Sequence, residues 1–334
     1  MMNFCTLFDS NYASKGIAMY LSIERHTEDF ILYIMAMDRK CQKIMDKCGF
    51  KHVVVECIED INSPELTIAE GNRSRAEFCW TCASFFTDYF LHKYELPDVT
   101  YLDSDLMFFS SPKVIFEELE QKKASVGLSP HFTKYPLFGK YCVQFVYFKN
   151  DADGRACLRW WSNECLKWCY SRVEDGKYGD QKYLDSFSER FDNVCEIENR
   201  GAGVAYWNMY KNEYVDGNTF YMGKKWQTIF FHYSGINVQI KDCVLIFRHT
   251  MYLTSKIREI FVEPYTELMR GVFTKYLSTP LSSVVIKPLN RWNYAVKTIT
   301  HYLNKFLPID WCINQVMKVK YREIHKPYSE RYFI

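Results

Sequence analysis

Three short apolar runs, at residues 3–8, 30–35 and 53–55, alternate with stretches whose apolar residues recur at helical spacing, as Ile17, Tyr20, Leu21 and Ile23 do. Strand, loop, helix and strand repeated in this way predict a parallel α/β sheet. The pattern continues downstream. An apolar helical stretch at 75–94 stops at Pro97-Asp98, and a strand at 99–102 runs into Asp103-Ser104-Asp105. Further strands are expected at 125–128, 142–148 and 229–233, with helices at 156–170 and from 181. From about 251 the texture changes to basic amphipathic helical segments broken by prolines. The expected organisation is an α/β domain over 1–250 followed by a basic, aromatic-rich helical extension over 251–334.

Charge divides the chain at the same place. The net charge is +2 overall, but residues 251–334 carry +7 and the remainder −5. Near-neutrality argues against a general nucleic-acid binder. No apolar run reaches the roughly 18 residues of a membrane-spanning helix. Met1-Met2-Asn3-Phe4-Cys5 has neither the basic start nor the apolar run of a signal peptide. The 13 cysteines then read as reduced thiols, and the expected location is the cytoplasm.

Asp103 and Asp105 leave an apolar strand at i and i+2, which puts both carboxylates on one side if strand geometry persists. In open α/β sheets ligands sit at the carboxyl ends of strands. Two hard oxygen donors there suit Mg²⁺ or Mn²⁺ held jointly with phosphate oxygens. The alternative is a solvated turn. His232 leaves an apolar strand before the Ser234-Gly235 turn and is either the nitrogen ligand of that site or a hydrogen-bonded core histidine. Asp180-Gln181 follows Gly179 and is either a capped helix start or a pair beside the reacting sugar carbon. The loop Asp9-Ser10-Asn11-Tyr12 follows the first strand, where Tyr12 can stack on a base and Asp9 or Asn11 read its edge. Arg73 and Arg75 are placed to pair with a diphosphate or to hold aspartates.

In this order the motifs resemble nucleotide-sugar glycosyltransferases of the GT-A fold, and among them the retaining glycogenin and lipooligosaccharide galactosyltransferase type. The likeness covers about residues 3–250. It also extends to bacterial enzymes of surface-polysaccharide clusters, through Tyr141-Cys142-Val143-Gln144-Phe145 and Gly201-Ala202-Gly203-Val204-Ala205-Tyr206-Trp207-Asn208. The resemblance implies a uridine pocket lined by Thr6, Phe8, Asp9 and Tyr12. It implies a metal centre of Asp103, Asp105 and His232, with Ser104 and Gly235 in nucleotide-sugar binding. Asp180, Gln181 and Gln144 would face the donor sugar. One departure is that Ile236-Asn237-Val238-Gln239 follows Gly235, where the glycogenin-like enzymes carry Lys-Pro-Trp.

The implied function is metal-dependent transfer of a sugar from a UDP-sugar to an acceptor hydroxyl in bacterial surface-glycan synthesis, with retention. Two alternatives stay open: an inverting transferase with Asp180 or Asp175 as general base, and a non-catalytic nucleotide-sugar-binding or scaffold protein on the same fold. Basic residues interleave with aromatics at 291–297 and 303–320. The extension therefore reads either as a helical cap or as a segment lying on an anionic membrane, where a glycan or lipid-linked acceptor is presented.

Overall fold

The computed structural model describes residues 1–133, 138–249 and 253–288. These form two compact units, one ending at His232 and one beginning at Tyr233.

The first unit is built on a sheet ordered β3-β2-β1-β4-β7-β6-β8. Its first strands are β1 (Met2–Phe8), β2 (Phe30–Ala36), β3 (Val53–Cys57) and β4 (Asp98–Leu102), all parallel to one another. A short strand, β5 (Leu106–Phe108), follows, then β6 (Val126–Pro130), β7 (Tyr141–Lys149) and β8 (Val194–Glu196). Strand β7 runs antiparallel to both β4 and β6. All seven residues of β1 are buried. A strand covered on both faces by crossover helices reads as a continuous apolar run, as β1 does.

The helices start where their sequences provide caps. Helix α1 (Ala13–Glu24) follows the 9–12 loop. Helix α2 (Arg39–Cys48) is capped by Asp38, whose carboxylate accepts from the Cys41 N–H, and stops at Gly49 with φ 63°. Helix α3 (Pro64–Asn72) is capped by Ser63, and α4 (Arg75–Lys93) carries a full capping box between Ser74 and Glu77. Helix α5 (Lys113–Gln121) precedes α6 (Ala152–Lys167), which is capped by Asp151. A 3₁₀ turn over Gln181–Ser186 leads into the short α7 (Phe187–Arg190). The core between α4, α6 and the sheet is aromatic, with Phe86, Phe90, Phe148, Trp161 and Phe187 buried together.

A second, three-stranded sheet sets the site. Strand β9 (Ala202–Ala205) precedes a meander of β10 (Glu213–Val215), β11 (Asn218–Tyr221) and β12 (Lys224–Gln227), and the chain then enters β13 (Phe230–His232). Strand β13 pairs antiparallel with β5, opposing His232 to Leu106, and parallel with β9, opposing His232 to Ala205.

The second unit holds the hairpin β14 (Ile236–Lys241) and β15 (Val244–His249), closed by Asp242-Cys243 with φ 52° and 59°. Positive φ at both central residues is what a two-residue hairpin turn demands. The short α8 (Ser255–Ile257) opens a helical run that passes through a π-helical stretch into α9 (Glu263–Gly271) and ends in a second such stretch at 272–276. Tyr233 stacks on Tyr265 with centroids 3.8 Å apart, and its hydroxyl donates to the Phe261 carbonyl.

One feature differs from the sequence reading. The extension is helical over 255–276, but Ser283–Pro288 is a strand, β16, parallel to β15. Its side chains alternate between exposed and half-buried, and its partner lies some forty residues upstream, so a local helical pattern is overridden by pairing distant in sequence. The basic aromatic stretches at 291–297 and 303–320 lie outside the described residues.

Candidate functional site

Strand β4 ends at Leu102, and the Asp103 N–H donates to the Gln144 carbonyl on β7 at 3.2 Å. This bond carries the chain off the sheet edge as Asp103-Ser104-Asp105 before β5 begins. Because β13 pairs with β5 at His232–Leu106, the imidazole is delivered beside Asp105. His232 Nε2 lies 3.0 Å from Asp105 Oδ1 and 3.6 Å from Asp103 Oδ2. Asp105 and His232 are nearly fully buried, whereas the Asp103 side chain keeps 29% exposure. Ser104 is buried between the two aspartates.

The imidazole is oriented from behind. Gln144 Oε1 lies 3.0 Å from His232 Nδ1, and Gln144 Nε2 donates to Ser129 Oγ at 2.9 Å. A carbonyl at Nδ1 selects the tautomer with its proton there and leaves Nε2 turned toward the carboxylates. Gln144, expected to face the donor sugar, is fully buried, with both ends of its amide engaged by His232 and Ser129. Gly203, at φ 95°, makes room for it, since a Cβ there would lie 2.5 Å from Gln144 Nε2.

Two residues that the sequence reading did not single out complete the cluster. Lys15, buried on α1, puts Nζ 3.5 Å from Asp105 Oδ2 and 4.3 Å from the Tyr12 ring centre. Cys142 is buried on β7, two residues before Gln144 and so on the same side of the strand. Donor atoms of Asp103, Cys142 and His232 lie within 4.8 Å of one another. Period-two spacing from Gln144 was the signal for Cys142. For Lys15 the signal was a lysine one turn after Tyr12, on the first helix.

Buried charge dominates the electrostatics. Burial pushes the Asp103 carboxyl up to about 7, against the pull of His232. Burial would raise Asp105 too, but His232 and Lys15 overcome it and hold that carboxyl well below its usual range. Burial opposes protonation of His232, yet Asp105 raises its pKa well above the ordinary value. Burial also raises the Cys142 thiol, but His131 and His232 outweigh it and bring it down to about 6. Asp180 is buried and raised well above the usual carboxyl range, first by burial and then by the charge of Asp103. The centre therefore concentrates three carboxyls and a thiol against one lysine and two imidazoles. Donors about 2.0–2.3 Å from a common ion stand roughly 3–4.5 Å apart, so the spacings and the donor set fit a divalent cation.

The remaining candidates divide. Asp180 occupies the cap position of the 181–186 turn without capping it through its side chain, and its carbonyl accepts from Trp161 Nε1 at 2.9 Å. Gln181 Nε2 donates to the Phe138 carbonyl. Asp175 sits in an exposed turn. In the first loop Asp9 Oδ1 accepts from the Asn11 and Tyr12 N–H groups, and its Oδ2 lies 3.5 Å from Arg75 Nε. Arg75 thus holds an aspartate, one of its two expected uses. Tyr12 is 46% exposed, with a face open for stacking. Phe8 packs on Gly16, and the buried Thr6 hydroxyl has no hydrogen-bond partner. Arg73 is not brought to the site. It donates to Thr81 Oγ1 and to the Leu166 carbonyl, stapling α4 to α6. Gly235 lies in the second unit, in the turn after Tyr233.

No protein-family model matches the chain. It is similar to the uncharacterized protein YfnF of Bacillus subtilis (strain 168), 30% identical over 287 residues that cover 81% of this chain and 94% of the relative. It is similar also to the uncharacterized protein YfnD of the same organism, 27% identical over 282 residues, covering 81% and 89%. Among solved structures it matches the galactosyltransferase LgtC in complex with donor and acceptor sugar analogs. That match has a TM-score of 0.52 at 13% identity and covers 81% of this chain and 96% of the other. The fold is that of the GT-A glycosyltransferases.

Replacing Gln144 by Leu removes the acceptor at His232 Nδ1 while keeping apolar volume. Mn²⁺ affinity measured by calorimetry should fall about 10–100-fold with the circular dichroism spectrum unchanged, and unchanged affinity would contradict an orienting role.

Proposed function

We propose that this chain, which belongs to the family of YfnF and has the GT-A glycosyltransferase fold, transfers a sugar from a UDP-sugar to an acceptor hydroxyl with the help of a divalent cation. The observation that carries this reading is the convergence of Asp103, Asp105 and His232 at the carboxyl end of β4. Those three side chains would hold the cation, Mn²⁺ or Mg²⁺. When bound, it supplies charge neutralisation at the departing diphosphate.

The chain's own residues do the rest. Gln144, pinned by Ser129, keeps His232 turned to the centre. Lys15 screens Asp105 and adds positive charge on the diphosphate side under this reading. Arg75 and the Asp9 turn fix the 9–12 loop, so that Tyr12 offers a stacking face to the base and Asn11 an edge contact. Thr6 and Phe8 line the same pocket under this reading, and Ser104 lies beside the diphosphate. Asp180 and Gln181 face the donor sugar under this reading and position it.

Asp175 lies in an exposed turn, which weighs against it as the general base of an inverting reaction, and the likeness to the retaining glycogenin type favours retention. In the retaining reaction front-face attack would be assisted by the leaving phosphate, which takes the acceptor proton. A role in bacterial surface-glycan synthesis rests on the sequence motifs shared with such enzymes. In that setting the +7 charge of 251–334 would meet an anionic inner membrane face carrying a lipid-linked acceptor. No helix among the described residues is long and apolar enough to cross a membrane.

Asp103→Asn should abolish Mn²⁺-dependent hydrolysis of UDP-sugars, assayed as UDP release across a donor panel, without loss of fold. Undiminished release would overturn the assignment. NMR of the product's anomeric proton should show the donor configuration preserved, and an inverted linkage would restore Asp180 as the base. Sedimentation with anionic liposomes should pull down the full chain more than a 1–250 truncation, and equal binding would remove the extension as an anchor.

A further inference from the structure

The thiol of Cys142 has no part in the reading above, yet it occupies the centre. It projects from β7 on the same side as Gln144, the residue that orients His232. It is almost completely buried, and its sulfur lies within 4.8 Å of the donor atoms of Asp103 and His232. Two ligands on opposite sides of one cation, at about 2.1 Å for oxygen or nitrogen and about 2.3 Å for sulfur, are separated by roughly 4.4 Å. Donors that are not opposite one another stand closer, roughly 3–4 Å apart, so three atoms all within 4.8 Å of one another are near the spacing that a shared ion imposes. Among the described residues this is the cluster whose composition and spacing suit a metal, and the other described cysteines stand outside it.

The surroundings favour a ligand over a core thiol. His131 follows β6, with its N–H bonded to the Lys140 carbonyl at 2.9 Å, and its ring lies against Trp207, 5.2 Å away. The same Trp207 ring meets His232 edge-on at 5.4 Å. His131 Nδ1 and Trp207 Nε1 are both buried without a hydrogen-bond partner. Buried polar atoms are nearly always paired, so two unpaired ones beside the same cluster mark a place shaped for something further.

We propose that Cys142 supplies a sulfur ligand to the cation at this centre, making it a mixed oxygen, nitrogen and sulfur site. The proposal rests on the metal reading of Asp103, Asp105 and His232. Cys142 binds as thiolate, and any proton still on the sulfur passes to solvent on loading. A soft thiolate beside two carboxylates and an imidazole shifts preference away from Mg²⁺ and toward Co²⁺, Zn²⁺ and Cd²⁺.

The test is anaerobic titration of the reduced full chain with Co²⁺. The wild type should develop a near-ultraviolet thiolate-to-cobalt charge-transfer band that saturates at one equivalent. Cys142→Ser should lose that band while still binding Co²⁺, as followed by its visible ligand-field absorption. X-ray absorption of the wild type loaded with one equivalent of Zn²⁺ should show one sulfur neighbour at about 2.3 Å, a readout that needs no variant to fold. Stoichiometric binding without a sulfur signature, or a band that persists in Cys142→Ser, would overturn the sulfur ligand and leave the carboxylate–histidine centre standing. Absence of binding, or binding unaffected by Asp103→Asn, would overturn the centre itself and the sulfur ligand with it.

Discussion

Burying carboxylates together is unfavourable unless cations meet them, and the first unit is organised around that constraint. Asp105 is enclosed at the end of β4, with His232 Nε2 at 3.0 Å on one side and Lys15 Nζ at 3.5 Å on the other. Asp103 and Asp180 add two more carboxyls, raised first by burial, with the charge of Asp103 pushing Asp180 further. Such an arrangement persists only where surrounding structure holds it. Here a ladder bond from Asp103 to β7, a strand pairing that opposes His232 to Leu106, and a helix carrying Lys15 each fix one member.

The fold supplies these fixtures from different parts of the chain. The parallel strands bring the 9–12 loop and the Asp103 turn to neighbouring strand ends, since β1 and β4 are adjacent. The antiparallel β7 places Gln144 and Cys142 beneath them, and the small β5-β13-β9 sheet closes the far side. Gly203 lets β9 approach Gln144, and Trp161 ties the aromatic core to the Asp180 turn through one hydrogen bond. Core packing and site geometry are thus linked through particular side chains.

Much of this was legible in the sequence. The apolar runs located the main strands, and Asp103 and Asp105 follow one of them, where the structure brings His232 beside them. His232 was visible as a histidine leaving an apolar strand. Partners were harder to read. Period-two alternation puts Gln144 on a face but does not say that both ends of its amide are taken by His232 and Ser129. Arg73 and Arg75 are two residues apart, yet one staples α4 to α6 and the other holds Asp9. Lys15 went unread because a lysine on an amphipathic helix ordinarily faces solvent, and Cys142 because a buried thiol ordinarily fills space. Strand β16 escaped because its structure depends on β15, far upstream.

The central claim is that one cation joins Asp103, Asp105 and His232 to the diphosphate of a nucleotide sugar. Crystals of the full chain grown with Mn²⁺ and UDP, measured at the manganese absorption edge, test it most directly. The account predicts a single strong anomalous peak between these side chains, in contact with diphosphate oxygens and with the uracil against Tyr12. UDP bound at this cleft without a peak there, or manganese bound elsewhere on the chain, would contradict it.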